Sequence, residues 1–362
     1  AAALAGTGPA IELAPDGTPL PVHSPALAPG TAALVRTSGS TGAPKATMLG
    51  RHALAASSAA TAARLGGEGQ WLLALSPNYV AGLQVLARSI HAGTTPAVMD
   101  LSARFTAAAF AEAAGGLTHR FRLTSLVPTQ LHRLLADPAE ETLKALRRFD
   151  AILLGGARAP DGLRAAARRH GLKVVRTYGM SETCGGCVYD GVPLDGVQVR
   201  LDGGRVLIGG AVVASGYLGN PALTRERFGR DADGTPWFRT DDLGELDGGV
   251  LTVAGRADDV LITGGVKVSA AAVAAAIEAV PGVEAVLVAG VEDPEWGTRV
   301  ACAVVGQAPA EQIRATVRSE LGAAEAPRTI LVLDELPLLG NGKPDRLAVA
   351  RMHKAAAGPA AR

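Results

Sequence analysis

Residues 151–179 read AILLGGARAPDGLRAAARRHGLKVVRTYG: an apolar run, an alanine- and arginine-rich amphipathic stretch opened by Pro and closed by Gly, and a β-branched run. Strand, helix, strand at this spacing is a crossover, so the two strands run parallel. The order recurs upstream. AALV (32–35) reads as a short strand, HALAASSAATAARL (52–65) as a helix, WLLALSP (71–77) as a buried strand, AGLQVLARSIHAG (81–93) as an apolar helix and TPAVMD (95–100) as a strand, and TSLVPTQLHRLLAD (124–137) continues the alternation. The fold class is therefore α/β. Beyond Gly186 short strands such as VQVRL (197–201), RVLIGG (205–210) and GVLTVAG (249–255), parted by turn residues, predict a small antiparallel or barrel-like β subdomain. From GRADD (255–259) onward, SAAAVAAAIEAV, EAVLVAGV, RVACAVVG, EQIRATVRSELG and TILVLDE predict a separate α+β unit of roughly one hundred residues. Residues 1–30, rich in Gly, Pro and Ala, read as a loosely structured lead-in.

A chain of 362 residues favours two domains, and 48% hydrophobic residues can fill their cores. Lys and Arg (35) balance Asp and Glu (34), giving a net charge of +1. With no basic run and no aromatic-basic interleaving, a nucleic-acid surface is excluded in favour of a small-molecule partner. Apolar stretches are broken by Gly, Pro or charge well short of the roughly 20 residues of a membrane span, so a soluble chain without membrane insertion is expected. The opening AAALAGTGPA has neither an initiating Met nor the parts of a signal peptide, which fits processing or an incomplete N-terminus. Cys184, Cys187 and Cys302 cannot build a disulfide framework, and TCGGC lacks a second Cys or His pair at zinc spacing. They read as ordinary small residues in a reducing cytoplasm.

TSGSTGAPK (37–45) crowds hydroxyls and glycines ahead of a lysine. Convergent backbone N–H groups, hydroxyls and a cation suit phosphate oxygens. It is not a Walker A loop, because Ala43 and Pro44 separate Gly42 from Lys45 and no hydroxyl follows the lysine. Taken alone it is equally a flexible Ser/Gly turn. Four more stretches stand with it in order: LLGGA (153–157), TYGMSET (177–183), WFRTDDLGELD (237–247) with GRADD behind it, and NGKPDR (341–346). Alone, YGMSE is a strand end with a helix cap, GRADD a solvated charged turn and Lys343 a surface lysine.

Together, from about residue 34 to residue 350, these motifs resemble the adenylate-forming superfamily of acyl- and aryl-CoA ligases. The resemblance implies ATP, Mg2+ and CoA. It implies that Thr37, Ser38, Gly39, Ser40, Thr41, Gly42 and Lys45 grip the ATP β- and γ-phosphates, and that Gly155, Gly156 and Ala157 line the adenine. Tyr178, followed by Gly179, would stack on the base, Glu182 would coordinate Mg2+ and Thr183 would contact the α-phosphate. Each role suits its residue type: an aromatic face for a purine, a hard oxygen for Mg2+, a hydroxyl for phosphate. Asp242 would hold the ribose hydroxyls, although Asp241, standing where many members have Gly, is chemically able to do the same. Arg256 would lie near the nucleotide, Asp258 would be the hinge, Gly264, Gly265 and Lys267 would border the CoA tunnel, and Lys343 would be the catalytic lysine of adenylation. The implied division is an adenylation domain, 1–256, and a small mobile C-terminal domain, 257–362. The segment before the phosphate loop is shorter than in larger members, so part of the usual N-terminal domain is expected to be missing or trimmed, and a homodimer would cover an exposed face.

Within the superfamily, SLVPTQLHRLL, PNYVAGLQVLARS and TYGMSETCGGCVYDGVPLDGV are similar to the 2-succinylbenzoate-activating family of menaquinone biosynthesis. That resemblance implies an aromatic dicarboxylic acid whose succinyl carboxylate reacts while the aromatic one is held. Arg88 is the predicted anchor, because Leu83, Leu86 and Ile90 share its helix at core-facing spacing and an arginine near that surface needs an anion; the alternatives are snorkelling to solvent or an acidic side-chain partner. Ser125 would add a hydroxyl, and Gly185 and Gly186 would leave room for the acyl chain. Asn78 stands where members commonly have His, and cannot carry a charge or transfer a proton near neutral pH. Three other readings stay open: another aryl- or acyl-acid CoA ligase, a carrier-loading adenylation domain, and a nucleotide-binding relative without catalysis.

Overall fold

The computed structural model describes residues 1–38, 44–339 and 344–356. In chain order the first part comprises α1 (Ala2–Ala5), β1 (Ala10–Leu13), β2 (Pro19–Val22), β3 (Thr31–Ser38), β4 (Pro44–Gly50), α2 (Arg51–Leu65), β5 (Gln70–Leu73), α3 (Val80–His91), β6 (Ala97–Val98), α4 (Ala107–Gly115), β7 (Arg122–Leu126), α5 (Pro128–Leu135), α6 (Glu140–Arg147), β8 (Ala151–Leu154), α7 (Asp161–Arg169), β9 (Val174–Met180), β10 (Gly185–Tyr189) and β11 (Val192–Pro193). Then follow β12 (Val197–Asp202), β13 (Arg205–Gly210), α8 (Pro221–Arg227), β14 (Phe228–Arg230), β15 (Pro236–Asp247) and β16 (Val250–Arg256). The last part is β17 (Val260–Thr263), β18 (Val266–Ser269), α9 (Ala270–Glu278), β19 (Val283–Asp293), β20 (Gly297–Gly306), α10 (Ala310–Glu320), β21 (Thr329–Val332) and α11 (Arg346–Ala356).

The chain divides into two compact units: residues 1–202, 206–240 and 246–251, and residues 203–205, 241–245 and 252–362. The first is built on a seven-stranded sheet of order β11-β10-β9-β8-β7-β5-β6. Strands β6, β5, β7, β8 and β9 are mutually parallel, and β10 then turns back antiparallel on β9. Successive side chains of a strand face opposite ways, so this sheet has two cores. Leu72, Leu126, Ile152 and Leu154 pack on one side with Phe110, Leu131 and Phe149. Trp71, Leu73, Leu123 and Leu153 pack on the other with Val85, Tyr189, Val206 and Ile208. Helix starts follow capping chemistry: the Thr106 hydroxyl accepts from Ala109 N–H, and Asn220 Oδ1 from Leu223 N–H.

Residues 1–30 depart from the loose lead-in expected. β1 pairs antiparallel with β2 and parallel with β3, in a four-stranded sheet of order β2-β1-β3-β4. The prolines that argued for irregularity, Pro19 and Pro21, fall on the edge strand β2, where a missing N–H costs no ladder bond. Gly17 supplies the positive φ of the connecting turn, 87°. Strand β4 and helix α4 had no counterpart in the sequence reading. β4 pairs antiparallel along β3 from Gly50 to Pro44, so the two ends of the TSGSTGAPK stretch face each other across a strand pair, and β4 intervenes before α2.

In α3, Leu83 is buried and Leu86 partly so, but Ile90 is 43% exposed. This corrects the core placement of Ile90: the helix is buried as far as Ser89, and only its last two residues, Ile90 and His91, are exposed. Near its start α3 passes so close to the preceding loop that a Cβ on Gly82 would collide with the backbone carbonyls of Leu75 and Ser76.

In the second unit β17 and β18 form a hairpin, β20 joins β17, β19 and β21, and α9 and α10 pack against the sheet through Val273, Ile277, Ile313 and Val317. Strands β12, β13, β15 and β14 pair in that order with β16 on β15. No helix among the described residues is long and apolar enough to cross a membrane. Because backbone carbonyls cannot retreat from an added methyl, Gly82→Ala is expected to destabilise the first unit by about 1–3 kcal/mol. Thermal unfolding checks this, with a clear fall in the midpoint expected.

Candidate active site

Ligands of open α/β sheets bind beyond the carboxyl ends of the parallel strands. Here those ends carry Ser125 on β7, Gly155 and Gly156 after β8, and Tyr178 and Gly179 on β9. Ser125 is 8% exposed and paired in register with Leu153. Gly155 N–H donates to Leu126 O at 3.2 Å, and a Cβ there would strike the Thr177 hydroxyl, so a side chain is excluded. Ala157 is exposed and Tyr178 half-buried, opposite Val188 of β10.

The turn joining β9 to β10 is the most constrained piece. Ser181–Thr183 form a 3-10 turn, and Cys184 takes a left-handed conformation at φ 50°. The fully buried Thr183 hydroxyl accepts from Met180 N–H at 3.0 Å and donates to Gly185 O at 2.8 Å. It is thus spent on bracing the turn, whereas the resemblance implied a phosphate contact. The Cys184 carbonyl accepts from Ser57 Oγ of α2 at 3.2 Å and from Gln84 Nε2 of α3. Cys184, Cys187 and Cys302 are free and buried. Desolvation pushes the Cys187 and Cys302 thiols up to about 12 and Cys184 higher still. All three are neutral at physiological pH, as expected of packing residues.

Glu182 is held from outside the turn. Tyr217 Oη donates to its Oε1 at 2.8 Å, and its backbone carbonyl accepts from Ala214 N–H at 2.9 Å. The same 214–218 segment bonds to β4: Met48 N–H to Gly216 O and Ser215 N–H to Met48 O, each at 2.9 Å. Across the hairpin Thr37 and Lys45 are partners, and the Lys45 ammonium lies 5.7 Å from the Tyr217 ring centroid. Tyr217 therefore links the carboxylate and the lysine of two separate motifs. Sequence reading missed it, for YLGN carries no pattern that points to Glu182. Gly39, Ser40, Thr41, Gly42 and Lys343 lie outside the described residues.

Arg88 is 6% exposed. Its Nη2 donates to Thr61 Oγ1 at 3.1 Å, its guanidinium carbon stands 5.0 Å from the Trp71 ring centroid, and its buried Nε has no partner. It neither snorkels nor, among the described residues, pairs with a carboxylate. A small cleft beside it is bordered by Glu68 and His91. Burial, opposed by the Glu68 charge, holds His91 below the ordinary imidazole value, so no second cation is added near neutral pH. Asn78 Oδ1 accepts from Ser76 Oγ at 2.7 Å, which engages it within its own loop. A Cβ on Gly185 would come 3.3 Å from Gln84 Cγ, and one on Gly186 3.1 Å from the Tyr189 ring edge.

In the second unit Asp241 and Asp242 separate by environment. Asp241 accepts from Arg205 Nη1 at 3.1 Å and faces Arg256 Nη2 at 3.5 Å. Asp242, 9% exposed, faces Arg256 Nη1 at 3.8 Å. Gly264 and Gly265, with φ 54° and 81°, form the two-residue turn of the β17–β18 hairpin, as a primed turn requires. A Cβ on Gly264 would strike the Trp296 ring, and Lys267 is exposed. Asp258 falls in the 3-10 turn Ala257–Asp259, whose Asp259 is ion-paired with Arg346 at the start of α11.

A glycine-lined strand end and a braced acidic turn at the carboxyl end of the parallel strands suit a nucleotide, and the family comparisons agree. Residues 9–218 match the AMP-binding enzyme family and residues 272–343 the AMP-binding enzyme C-terminal domain. The chain belongs to the AMP-binding enzyme family, the adenylate-forming enzymes. It is 48% identical over 329 residues to a probable 2-succinylbenzoate–CoA ligase of Mycobacterium tuberculosis, covering 88% of this chain and 84% of that one. A 2-succinylbenzoate–CoA ligase of Bacillus pumilus is 31% identical over 344 residues, 87% of this chain and 68% of that one. The o-succinylbenzoate CoA synthetase of Bacillus subtilis, solved with its acyl-adenylate intermediate, superposes with a TM-score of 0.72 at 29% identity, over 88% of this chain and 69% of that one.

Hydrogen bonds to charged groups are worth about 1.5–3 kcal/mol. Tyr217→Phe, which keeps the ring under Lys45 but frees Glu182, is therefore expected to cut ATP-dependent turnover on the order of tenfold or more with little change in unfolding midpoint. Steady-state kinetics alongside thermal unfolding tests this.

Proposed function

We propose that the chain is a 2-succinylbenzoate–CoA ligase of menaquinone biosynthesis, converting ATP, 2-succinylbenzoate and CoA to 2-succinylbenzoyl-CoA, AMP and diphosphate through an acyl-adenylate. The observation that carries the substrate assignment is Arg88, a buried guanidinium with no carboxylate partner among the described residues. Burying a cation without a counter-charge costs several kcal/mol, and an acid with a second, unreactive carboxylate supplies that charge. Names of relatives such as those of Mycobacterium and Bacillus support the same acid.

The roles proposed for individual residues follow from the family resemblance and from each residue's chemistry. The succinyl carboxylate is the nucleophile toward the ATP α-phosphorus, so no side chain is modified. Thr37, Ser38, Gly39, Ser40, Thr41, Gly42 and Lys45 hold the β- and γ-phosphates, Gly155, Gly156, Ala157 and Tyr178 receive the adenine, and Asp242 the ribose. Asp241, engaged with two arginines, is the poorer choice for the ribose. Lys343 stabilises the charge of adenylate formation, and the 257–362 domain turns about Asp258 to present Gly264, Gly265 and Lys267 to CoA. Glu182 suits Mg2+: it is a lone carboxylate with Tyr217 on one oxygen, Mg2+ binds through one or two carboxylates plus substrate phosphates, and no cluster of three or more metal-ligating residues stands among the described ones. Such an ion would supply charge neutralisation to the phosphates. Work in the cytoplasm fits three neutral, unpaired thiols.

The test is pyrophosphate release and thioester formation with ATP, CoA and a panel of 2-succinylbenzoate, benzoate and medium-chain fatty acids. Preference for 2-succinylbenzoate is expected, lost on Arg88→Ala far more for this acid than for benzoylpropionate, which lacks the aromatic carboxylate. Preference for a monocarboxylate would discard the substrate and keep the family. Lys343→Ala is expected to abolish adenylate formation while sparing thioester formation from supplied acyl-adenylate, and equal loss in both half-reactions would remove the lysine from that role.

A further inference from the structure

Arg88 shares its burial with two hydroxyls, Thr61 of α2 at 2% exposure and Tyr189 of β10 at 1%. Thr61 Oγ1 accepts from Arg88 Nη2, and it lies 3.1 Å from Tyr189 Oη. A hydrogen inventory of this cluster does not close. The guanidinium has donors only, and each hydroxyl has one proton. One hydroxyl proton makes the Thr61–Tyr189 bond. The other finds no acceptor among the described residues, and neither does the buried Arg88 Nε–H. Leftover buried donors cost free energy until an acceptor arrives. A cluster with surplus donors and one positive charge fits a carboxylate, which only accepts.

Its position suits the far end of the acid. Gln84 touches the Cys184 carbonyl in the turn that carries Glu182, and Arg88 lies one helical turn further along α3, about 6 Å at 1.5 Å per residue. Gly186 on β10 lies against the Tyr189 ring edge and the Thr177 side chain.

We propose that Tyr189 and Thr61 complete the receptor for the distal carboxylate: Thr61 accepts from Arg88 and donates to Tyr189, which leaves the Tyr189 proton to donate to the acid. This rests on the reading of the substrate as a dicarboxylate held by Arg88. Tyr189 is then a specificity-determining residue and Thr61 a positioning one, and the cluster rejects acids that lack the second carboxylate by leaving its donors unpaired.

Tyr189→Phe keeps the ring and removes the hydroxyl. For 2-succinylbenzoate, KM is expected to rise roughly ten- to a hundredfold, the equivalent of one hydrogen bond to a charge, with kcat and the KM for ATP within about twofold. For benzoylpropionate, kcat/KM should not fall. Thr61→Val should reproduce the loss, and Thr61→Ser, which keeps the hydroxyl, should retain the wild-type preference. Equal losses with both acids, no change with either, or loss in Thr61→Ser as large as in Thr61→Val would each overturn the proposal. If the unaltered protein shows no preference between the two acids, the dicarboxylate reading itself falls, an outcome read before any variant is made.

Discussion

At Gly179 only a hydrogen fits, because the backbone carbonyl of Gly185 occupies the space a side chain would need. That contact lets β10 fold back on β9 immediately after a parallel run, and the reversal forces the chain through the tight turn at Ser181–Thr183. Everything assigned to the first unit's site is measured from this turn. Glu182 projects from it toward Tyr217, Thr183 closes it from within, and the Cys184 carbonyl ties it to α2 and α3. A turn with its buried polar groups satisfied and its one left-handed non-glycine held on both sides is a rigid mount for a carboxylate.

Two helices extend that mount. Ser57 and Thr61 lie four residues apart on α2, Gln84 and Arg88 four apart on α3, so each pair occupies one helix face. The upper members bind the turn, and the lower members form the donor-rich cluster with Tyr189. One polar seam thus ties the turn where adenylate chemistry is proposed to the cluster proposed to receive a second carboxylate. The surroundings are apolar, with Trp71, Leu123 and Val85 in the same core, which raises the cost of leaving the guanidinium unpaired.

Much of this was legible in the chain. The strand-helix-strand order at 151–179 is present as β8, α7 and β9, and its parallel pairing places Gly155 and Tyr178 at one sheet edge. Elements made of residues close in sequence were readable because periodicity and spacing act locally. Gly264 and Gly265, by contrast, were read only as CoA-tunnel residues, and their left-handed hairpin turn came from the structure. What failed to show depends on partners far apart in sequence. Residues 10–22 look irregular until β3 offers an edge to pair with, Ile90 has helical spacing but points outward at the exposed end of α3, and Tyr217 acquires meaning only when the 214–218 segment is laid along β4.

The sequence by itself determined the α/β class, the order of the signature motifs and the residue types available for phosphate, purine and acid, because periodicity and turn chemistry act over a few residues. Only the tertiary structure decided that the Thr183 hydroxyl is consumed in bracing its own turn, that Asp241 is engaged with Arg205 and Arg256, and that Arg88 is buried beside Thr61 and Tyr189 with donors to spare. The reason is that hydrogen-bond saturation and desolvation are properties of a neighbourhood, and these neighbourhoods are assembled from segments up to 128 residues apart.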